Sequence, residues 1–236
     1  MILQVRDVVF RWPGQASPCL LIDAFSVAAG ESVFLHGPSG SGKSTLLSLL
    51  AGVFLPQQGE VLLAGKRWSA MGSAARDRHR ADQLGYIFQQ FNLLPYLSVL
   101  DNVLLPCRFS TRRAQAARQA HGTLVASARH WLAAMGLPEA SWQRPARALS
   151  VGQQQRVAAA RALIGAPPVV IADEPTSALD EDRRDRFMDL LFQACGQAGS
   201  TLVFVSHDQR LAARFARQVS LPAINRAAQP QEVTEA

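Results

Sequence analysis

The sequence predicts an α/β fold, and three observations point to it. Short apolar runs alternate with stretches of helical periodicity along most of the chain. Val169-Val170-Ile171-Ala172 is apolar at every position, as a strand in the middle of a parallel sheet must be. The run Val33-Phe34-Leu35 passes through glycines into Thr45-Leu46-Leu47-Ser48-Leu49-Leu50, giving a strand, a glycine-rich turn and a helix in succession.

In chain order, the first residues read as strands. Leu3, Val5, Val8 and Phe10 lie in a β-prone run, Leu20–Val27 is a second, and residues 33–35 are a third. Arg11-Trp12-Pro13-Gly14 separates the first two. Residues 43–52 read as a helix stopped by Gly52 and Pro56. Short strands are expected between the glycines of 59–65 and over 84–89. From 98 to 147 alanine, arginine and leucine dominate, and the pattern over 113–135 is helical until Gly136-Leu137-Pro138. That change of character predicts a helical subdomain inserted into the α/β core. Residues 152–164 form a further helix, closed by Gly165-Ala166-Pro167-Pro168. A helix over 181–195 precedes a last buried strand, Thr201–Val205. Residues 226–236 read as a polar, frayed tail.

The chain has 236 residues, 48% of them hydrophobic, enough for one large domain or two small ones with a substantial core. The net charge is +6, with arginine clusters at 76–80, 112–113 and 183–186. Two of these clusters hold interleaved acids and read as solvated helix faces, against a sharper reading as contacts for anionic lipid or nucleic acid. Aromatic residues are sparse and do not interleave with the basic runs, which argues against a single-strand nucleic-acid surface. Cys19, Cys107 and Cys195 are far apart and lack metal-ligand spacing, as expected of a reduced cytosolic protein. The start of the chain lacks the basic-then-apolar pattern of a signal peptide. No apolar run approaches the roughly 18–20 residues of a membrane span. A role at a membrane would therefore need another subunit to cross it.

Gly37-Pro38-Ser39-Gly40-Ser41-Gly42-Lys43-Ser44 has the spacing of a phosphate-binding P-loop. Glycines let successive N–H groups face one anion, and the helix that starts there adds its positive dipole end. Lys43 supplies a point charge for the β- and γ-phosphates, and the Ser44 hydroxyl is a Mg²⁺ ligand; Thr45 completes the loop. Lys43 and Lys66 are the only lysines among 24 basic residues, so composition does not explain a lysine here. The competing reading is a glycine-rich turn without a ligand. Downstream, Asp173-Glu174 ends the apolar strand. With a P-loop upstream, Asp173 can hold Mg²⁺ and Glu174 can accept a proton from an attacking water. Alone, the pair would be a solvated strand end.

With these motifs the chain resembles an ATP-binding-cassette (ABC) ATPase from about residue 2 to residue 221. Ser150-Val151-Gly152-Gln153-Gln154 resembles the family's signature, with Val151 where glycine is usual. Ser177-Ala178-Leu179-Asp180 resembles the D-loop, His207 the switch histidine, and Gln89 the Q-loop glutamine and a metal ligand. The resemblance implies a P-loop NTPase core with an N-terminal antiparallel β-subdomain and an inserted α-helical subdomain. It also implies one domain over 1–225, with core residues 1–97 and 148–225 and a helical part over 98–147. It implies ATP and Mg²⁺ as ligands, and a head-to-tail homodimer. In that dimer Ser150, Gly152, Gln153 and Asp180 serve the nucleotide on the partner's P-loop. Ser150 also reads as a simple N-cap, and His207 alone would read as a turn or core residue. An aromatic stacks on adenine in the family: Trp12 is the candidate, with Phe10 the competitor that strand alternation assigns to the core. His36 is expected to be a strand-end residue without a chemical role.

Phe91-Asn92-Leu93-Leu94-Pro95 resembles the subfamily that serves lipoprotein-release, macrolide-efflux and cell-division type permeases. Leu93, Leu94 and Tyr96 are expected to form an exposed docking surface for a permease helix, against packing inside the helical subdomain. Leu221-Pro222-Ala223 stands where the family commonly has an Asp-Gly hairpin, so a short or missing final strand is expected. The implied function is ATP hydrolysis on the inner face of a bacterial cell membrane, driving separate permease subunits and, through them, a possible periplasmic partner. The alternative is a soluble ABC ATPase of nucleic-acid repair or translation. The short stretch between Gln89 and Ser150 favours the first, and a P-loop kinase would not explain the signature, D-loop or switch histidine.

Overall fold

Alternation within the strands sorts the side chains into two cores. The computed structural model describes residues 1–228, and the expected tail from 229 onward lies outside them. A parallel sheet has the order β6-β7-β8-β3-β9, built from β3 (Ser32–His36), β6 (Leu84–Ile87), β7 (Val169–Asp173), β8 (Thr201–Val205) and β9 (Arg217–Ser220). Val33, Leu35, Val169, Ile171, Val203 and Val205 face one core. Phe34, Val170, Ala172, Leu202 and Phe204 face the other. Both faces of the central strands are covered, which is why Val33-Phe34-Leu35, Val169-Val170-Ile171-Ala172 and Leu202-Val203-Phe204-Val205 are apolar at every position.

The first core is closed by an antiparallel sheet, order β2-β1-β4-β5: β1 (Leu3–Phe10), β2 (Leu20–Val27), β4 (Gln58–Leu63) and β5 (Lys66–Arg67). Helix α1 (Lys43–Leu50) buries Leu46, Leu47, Leu49 and Leu50 against it. The apolar spacing in β1 skips between Val5 and Val8, and the reason is a bulge. Asp7 sits at φ 50, and the register with β4 shifts between Arg6 and Val9. Gly59 of β4 makes room, because a Cβ there would come 2.2 Å from the Asp7 carbonyl.

The second core carries the helices. The single helical pattern over 113–135 is two helices, α4 (Thr111–His121) and α5 (Leu124–Ala134). Gly122 at φ 78 ends the first, and Thr123 caps the second by accepting from the Ala126 N–H. They follow α2 (Ser73–Gln83) and α3 (Val99–Phe109), and α3 and α5 pack on α6 (Val151–Leu163). Helix α7 (Glu181–Ala198) runs three residues further than the pattern read from sequence and stops at Gly199, φ 64. The last strand among the described residues is the four-residue β9, and Leu221-Pro222-Ala223 lies in a short helix, α8 (Leu221–Ile224), as the expectation of a short or missing final strand allows.

Three clustered basic residues are not solvated. Arg113 is buried and donates to the carbonyls of Leu84, Arg161, Ala162 and Ile164, tying α4 to β6 and to the C-terminal turn of α6. Burial pushes its guanidinium down to about 10. Arg184 is buried on α7, paired with Asp208 at 2.7 Å and Glu181 at 3.1 Å. His79 is buried against Trp68, its Nε2 3.0 Å from the Leu63 carbonyl. Cluster composition reports average polarity, whereas helix phase decides which member turns inward. Among the described residues no helix is long and apolar enough to cross a membrane.

Candidate functional site

Loops leave the C-terminal ends of four neighbouring parallel strands and meet in one cleft of about 820 Å³. From β3 comes the glycine loop, from β6 Gln89, from β7 Asp173 and Glu174, and from β8 His207; all reach the cleft lining. Ligands of open α/β sheets bind at this end of the strands.

The glycine loop is shaped for an anion. Gly40 and Gly42 have φ 79 and φ 98, a region closed to most side chains. A Cβ on Gly42 would also come 2.8 Å from the Leu20 side chain. No side chain caps α1, so its first N–H groups remain available in front of Ser39-Gly40-Ser41-Gly42-Lys43-Ser44-Thr45, all on the lining. Gly37 and Pro38 lie behind this surface, where their carbonyls accept from Lys43 Nζ at 2.8 and 3.1 Å.

Asp173 and Glu174 differ in setting. Burial pushes the Asp173 carboxyl above its ordinary value; Glu174 adds to the shift and Lys43 opposes it. Glu174 has left the strand line. Its φ is 45 and its N–H donates to the Val205 carbonyl at 2.9 Å. A non-glycine residue pays about 1–3 kcal/mol for such a conformation, and here it turns the carboxylate toward the cleft. Glu174 Oε2 accepts from His207 Nδ1 at 2.6 Å. Behind His207, Asp208 accepts from Arg210 and from the buried Arg184, which fixes that loop to α7. The Arg210 bond comes first among the causes that hold the Asp208 carboxyl below its ordinary value.

The turn after Gln89 is also held. Phe91 and Asn92 have φ 60 and 48, and both carbonyls accept from Arg161 near the end of α6. At the other end of the cleft Trp12 packs edge-on against Phe10 and Phe54, at 5.2 and 5.0 Å between ring centres. Trp12 reaches the lining and Phe10 is buried in the core. His36 ends β3 and stacks on Phe34, away from the lining.

Ser150, Gly152, Gln153 and Asp180 do not join this cleft. Ser150 caps α6 in a capping box: its hydroxyl accepts from the Gln153 N–H at 3.4 Å, and the Gln153 amide oxygen accepts from the Ser150 N–H at 3.0 Å. Asp180 caps α7, accepting from the Arg183 N–H at 2.9 Å. A Cβ on Gly152 would meet only Leu179, at 3.7 Å.

Gln15, Pro18, Cys19, Asn225 and Ala227 complete the cleft lining. Sequence reading did not reach them, because none lies in a patterned motif and Asn225 and Ala227 arrive from the far end of the chain.

The expected docking residues divide. Leu93 packs against the second core, and the Leu94 N–H and carbonyl are both tied to the Asn102 amide. Tyr96 is 70% exposed. The larger apolar surface lies elsewhere, in a groove of about 730 Å³ whose lining includes Val53, Tyr86, Phe88, Pro106 and Phe109.

The profile of the family described as ABC transporter matches residues 22–177. "Uncharacterized ABC transporter ATP-binding protein YbbA" of Escherichia coli (strain K12) is 44% identical over 195 residues, covering 83% of this chain and 82% of the relative. The relative of the same name from Shigella flexneri matches equally. Among solved structures, "Dimeric Structure of MJ0796, a Bacterial ABC Transporter Cassette" superposes with a TM-score of 0.81 at 34% identity, covering 92% of this chain and 93% of the other. A second structure of that cassette, described as a post-hydrolysis state bound to ADP and Pi, matches with the same values.

Proposed function

The chain belongs to the ABC transporter family as an ATP-binding, ATP-hydrolysing subunit, and we propose from its geometry how each residue serves that activity. The phosphates of ATP lie on the N–H groups of Gly40 to Thr45, with Lys43 neutralising the β- and γ-phosphates. Trp12 stacks on the base. Ser44, Gln89 and Asp173 all line the cleft and offer a hard, all-oxygen donor set, which fits Mg²⁺. Bound there, the cation would neutralise phosphate charge. Glu174 takes the proton of the attacking water, and the bond from its carboxylate to His207 holds it in place. Water oxygen bonds to the γ-phosphorus, the bond to the bridging oxygen breaks, and ADP and phosphate result.

The observation that carries the dimeric reading is Gly152. Nothing in its own chain requires a glycine there, so the open face of α6 serves something outside the chain. We assign it to the nucleotide of a second copy, with Ser150, Gln153 and Asp180 beside it. The structural relative described as dimeric supports this assignment.

The apolar groove beginning at Phe88, next to Gln89, suits a cytoplasmic helix of a separate permease, of the export, lipoprotein-release or mechanotransmission type. Phe109 is 72% exposed and Val53 52%. The subunit would then sit on the inner face of a bacterial cell membrane, with any periplasmic partner reached through the permease.

Sedimentation of Glu174→Gln with and without Mg-ATP tests the reading. Binding should survive while turnover falls about tenfold or more, and the ATP-bound chain should shift from monomer to dimer. Lys43→Ala is the control and should neither bind nor shift. Unchanged mass in Glu174→Gln would remove the dimer from the isolated subunit, and wild-type turnover would remove Glu174 from the mechanism.

A further inference from the structure

One wall of the cleft has no part in the chemistry above. After β9 the chain passes through α8 and returns to the start of β2 and the back of the glycine loop. Asn225 is 1% exposed at this crossing. Its Oδ1 accepts from the N–H groups of Leu21 at 2.8 Å and Ala227 at 3.2 Å. Its Nδ2 donates to the carbonyls of Cys19 at 3.1 Å and Ser41 at 3.4 Å. Two donors and two acceptors are all that an amide side chain has, so this one is fully used. A fully paired buried amide fixes a single geometry, because any shift strands a polar group away from water. Contacts beside it point the same way. A Cβ on Gly37 would come 3.1 Å from Pro222, and Arg226 pairs with Asp23 of β2.

The crossing is part of the site. Asn225 and Ala227 line the same cleft as Trp12, Gln15 and Cys19. The phosphates take the glycine loop, so these residues border the rest of the nucleotide. We propose that the C-terminal segment around Asn225 and Ala227 is a wall of the base-and-ribose end of the cleft, with Asn225 as its positioning residue. The wall strengthens binding of a nucleoside triphosphate over a bare polyphosphate. This rests on the reading of the cleft as an ATP site.

Binding of Mg-ATP and of inorganic tripolyphosphate to the full chain separates the two ends of the cleft. Asn225→Ala should weaken ATP binding about tenfold, with tripolyphosphate affected about twofold or less. KM for ATP should rise with kcat held, since the chemistry lies at the other end. Ala227→Trp keeps every tie of Asn225 and adds bulk only to the wall. It should weaken ATP binding, spare tripolyphosphate and leave the thermal transition unchanged. Equal loss of both ligands in Asn225→Ala would make Asn225 a support of the glycine loop and overturn its assigned role. Unchanged ATP binding in Ala227→Trp would overturn the wall, and it decides the matter if Asn225→Ala fails to fold. Wild-type protein binding tripolyphosphate as tightly as ATP would also overturn the wall while sparing the phosphate site. Binding of neither ligand would instead strike the ATP reading itself.

Discussion

The helix N-termini of α1 and α6 both carry a glycine, and the two glycines have different reasons. Gly42, before α1, stands at φ 98 with the Leu20 side chain against the place of a Cβ. Its own chain demands it. Gly152, in the first turn of α6, has ordinary helical backbone and space for a side chain. Around Gly42 the chain gathers a complete set of groups: a lysine, two carboxylates, a glutamine and a histidine. Around Gly152 it offers the capping Ser150, the exposed apolar Val151 and the arginines Arg156, Arg183 and Arg186, with no carboxylate or histidine on that lining among the described residues. One terminus is a finished half of a site. The other is the surface we assign to a composite site between two copies.

Substitution at the two glycines would break this comparison most directly. Gly42→Ala should abolish ATP binding by the isolated chain, because alanine is strained at that φ and its Cβ collides with Leu20. Gly152→Arg should leave folding and monomer binding intact. In the Glu174→Gln background it should eliminate the ATP-dependent dimer, a loss of about a hundredfold or more in association if a bulky side chain fills the second copy's phosphate position. If both variants lose monomer binding alike, as read by equilibrium dialysis, the two termini are not different in kind.

A change in the groove should have a smaller effect. Phe109→Asp alters an exposed residue, so the thermal transition and basal turnover of the isolated subunit should hold. Stimulation of its ATPase by co-expressed permease should fall about tenfold, as for loss of a central aromatic anchor. Full stimulation would move the docking site away from Phe109, toward Tyr96.

The smallest expected effect has the opposite sign. Asp173 is raised in the folded protein by burial and by Glu174. At neutral pH its ionised form is therefore disfavoured in the fold relative to the unfolded chain. Asp173→Asn should raise the melting temperature near pH 7 while removing activity. As pH falls through the raised folded pKa and then below the ordinary carboxylate value, Asp173 protonates in both states and the gain should vanish. A gain that persists in acid would assign it to packing instead of charge.

The cleft was legible because its parts are local. Strand, glycines, lysine and helix are contiguous from Val33 to Leu50, and Asp173-Glu174 follows a run whose lack of polar residues marks a central strand. The helical insert was legible only in outline. Periodicity carried across Gly122 and joined α4 to α5, since one glycine weakens a helical pattern without cancelling it. Arg184 read as a surface charge and Arg113 was not singled out, because nothing in a run of arginines says which one will find four carbonyls or an aspartate from a distant segment. Leu93 and Leu94 read as exposed for a related reason: the amide of Asn102 that ties Leu94 down lies on the next helix.

Sequence by itself determined the α/β class, the phosphate loop and the carboxylates, all of which rest on spacings of a few residues fixed by backbone geometry. Tertiary structure alone decided which strands stand side by side, and so which four loops share a cleft. It also decided that Glu174 turns back onto His207, that the groove opens at Phe88 and Phe109, and that Asn225 closes on Cys19 and Ser41. These contacts join residues far apart in the chain. They form because buried polar groups must be paired and apolar faces covered, conditions met over the whole fold and not in any one segment.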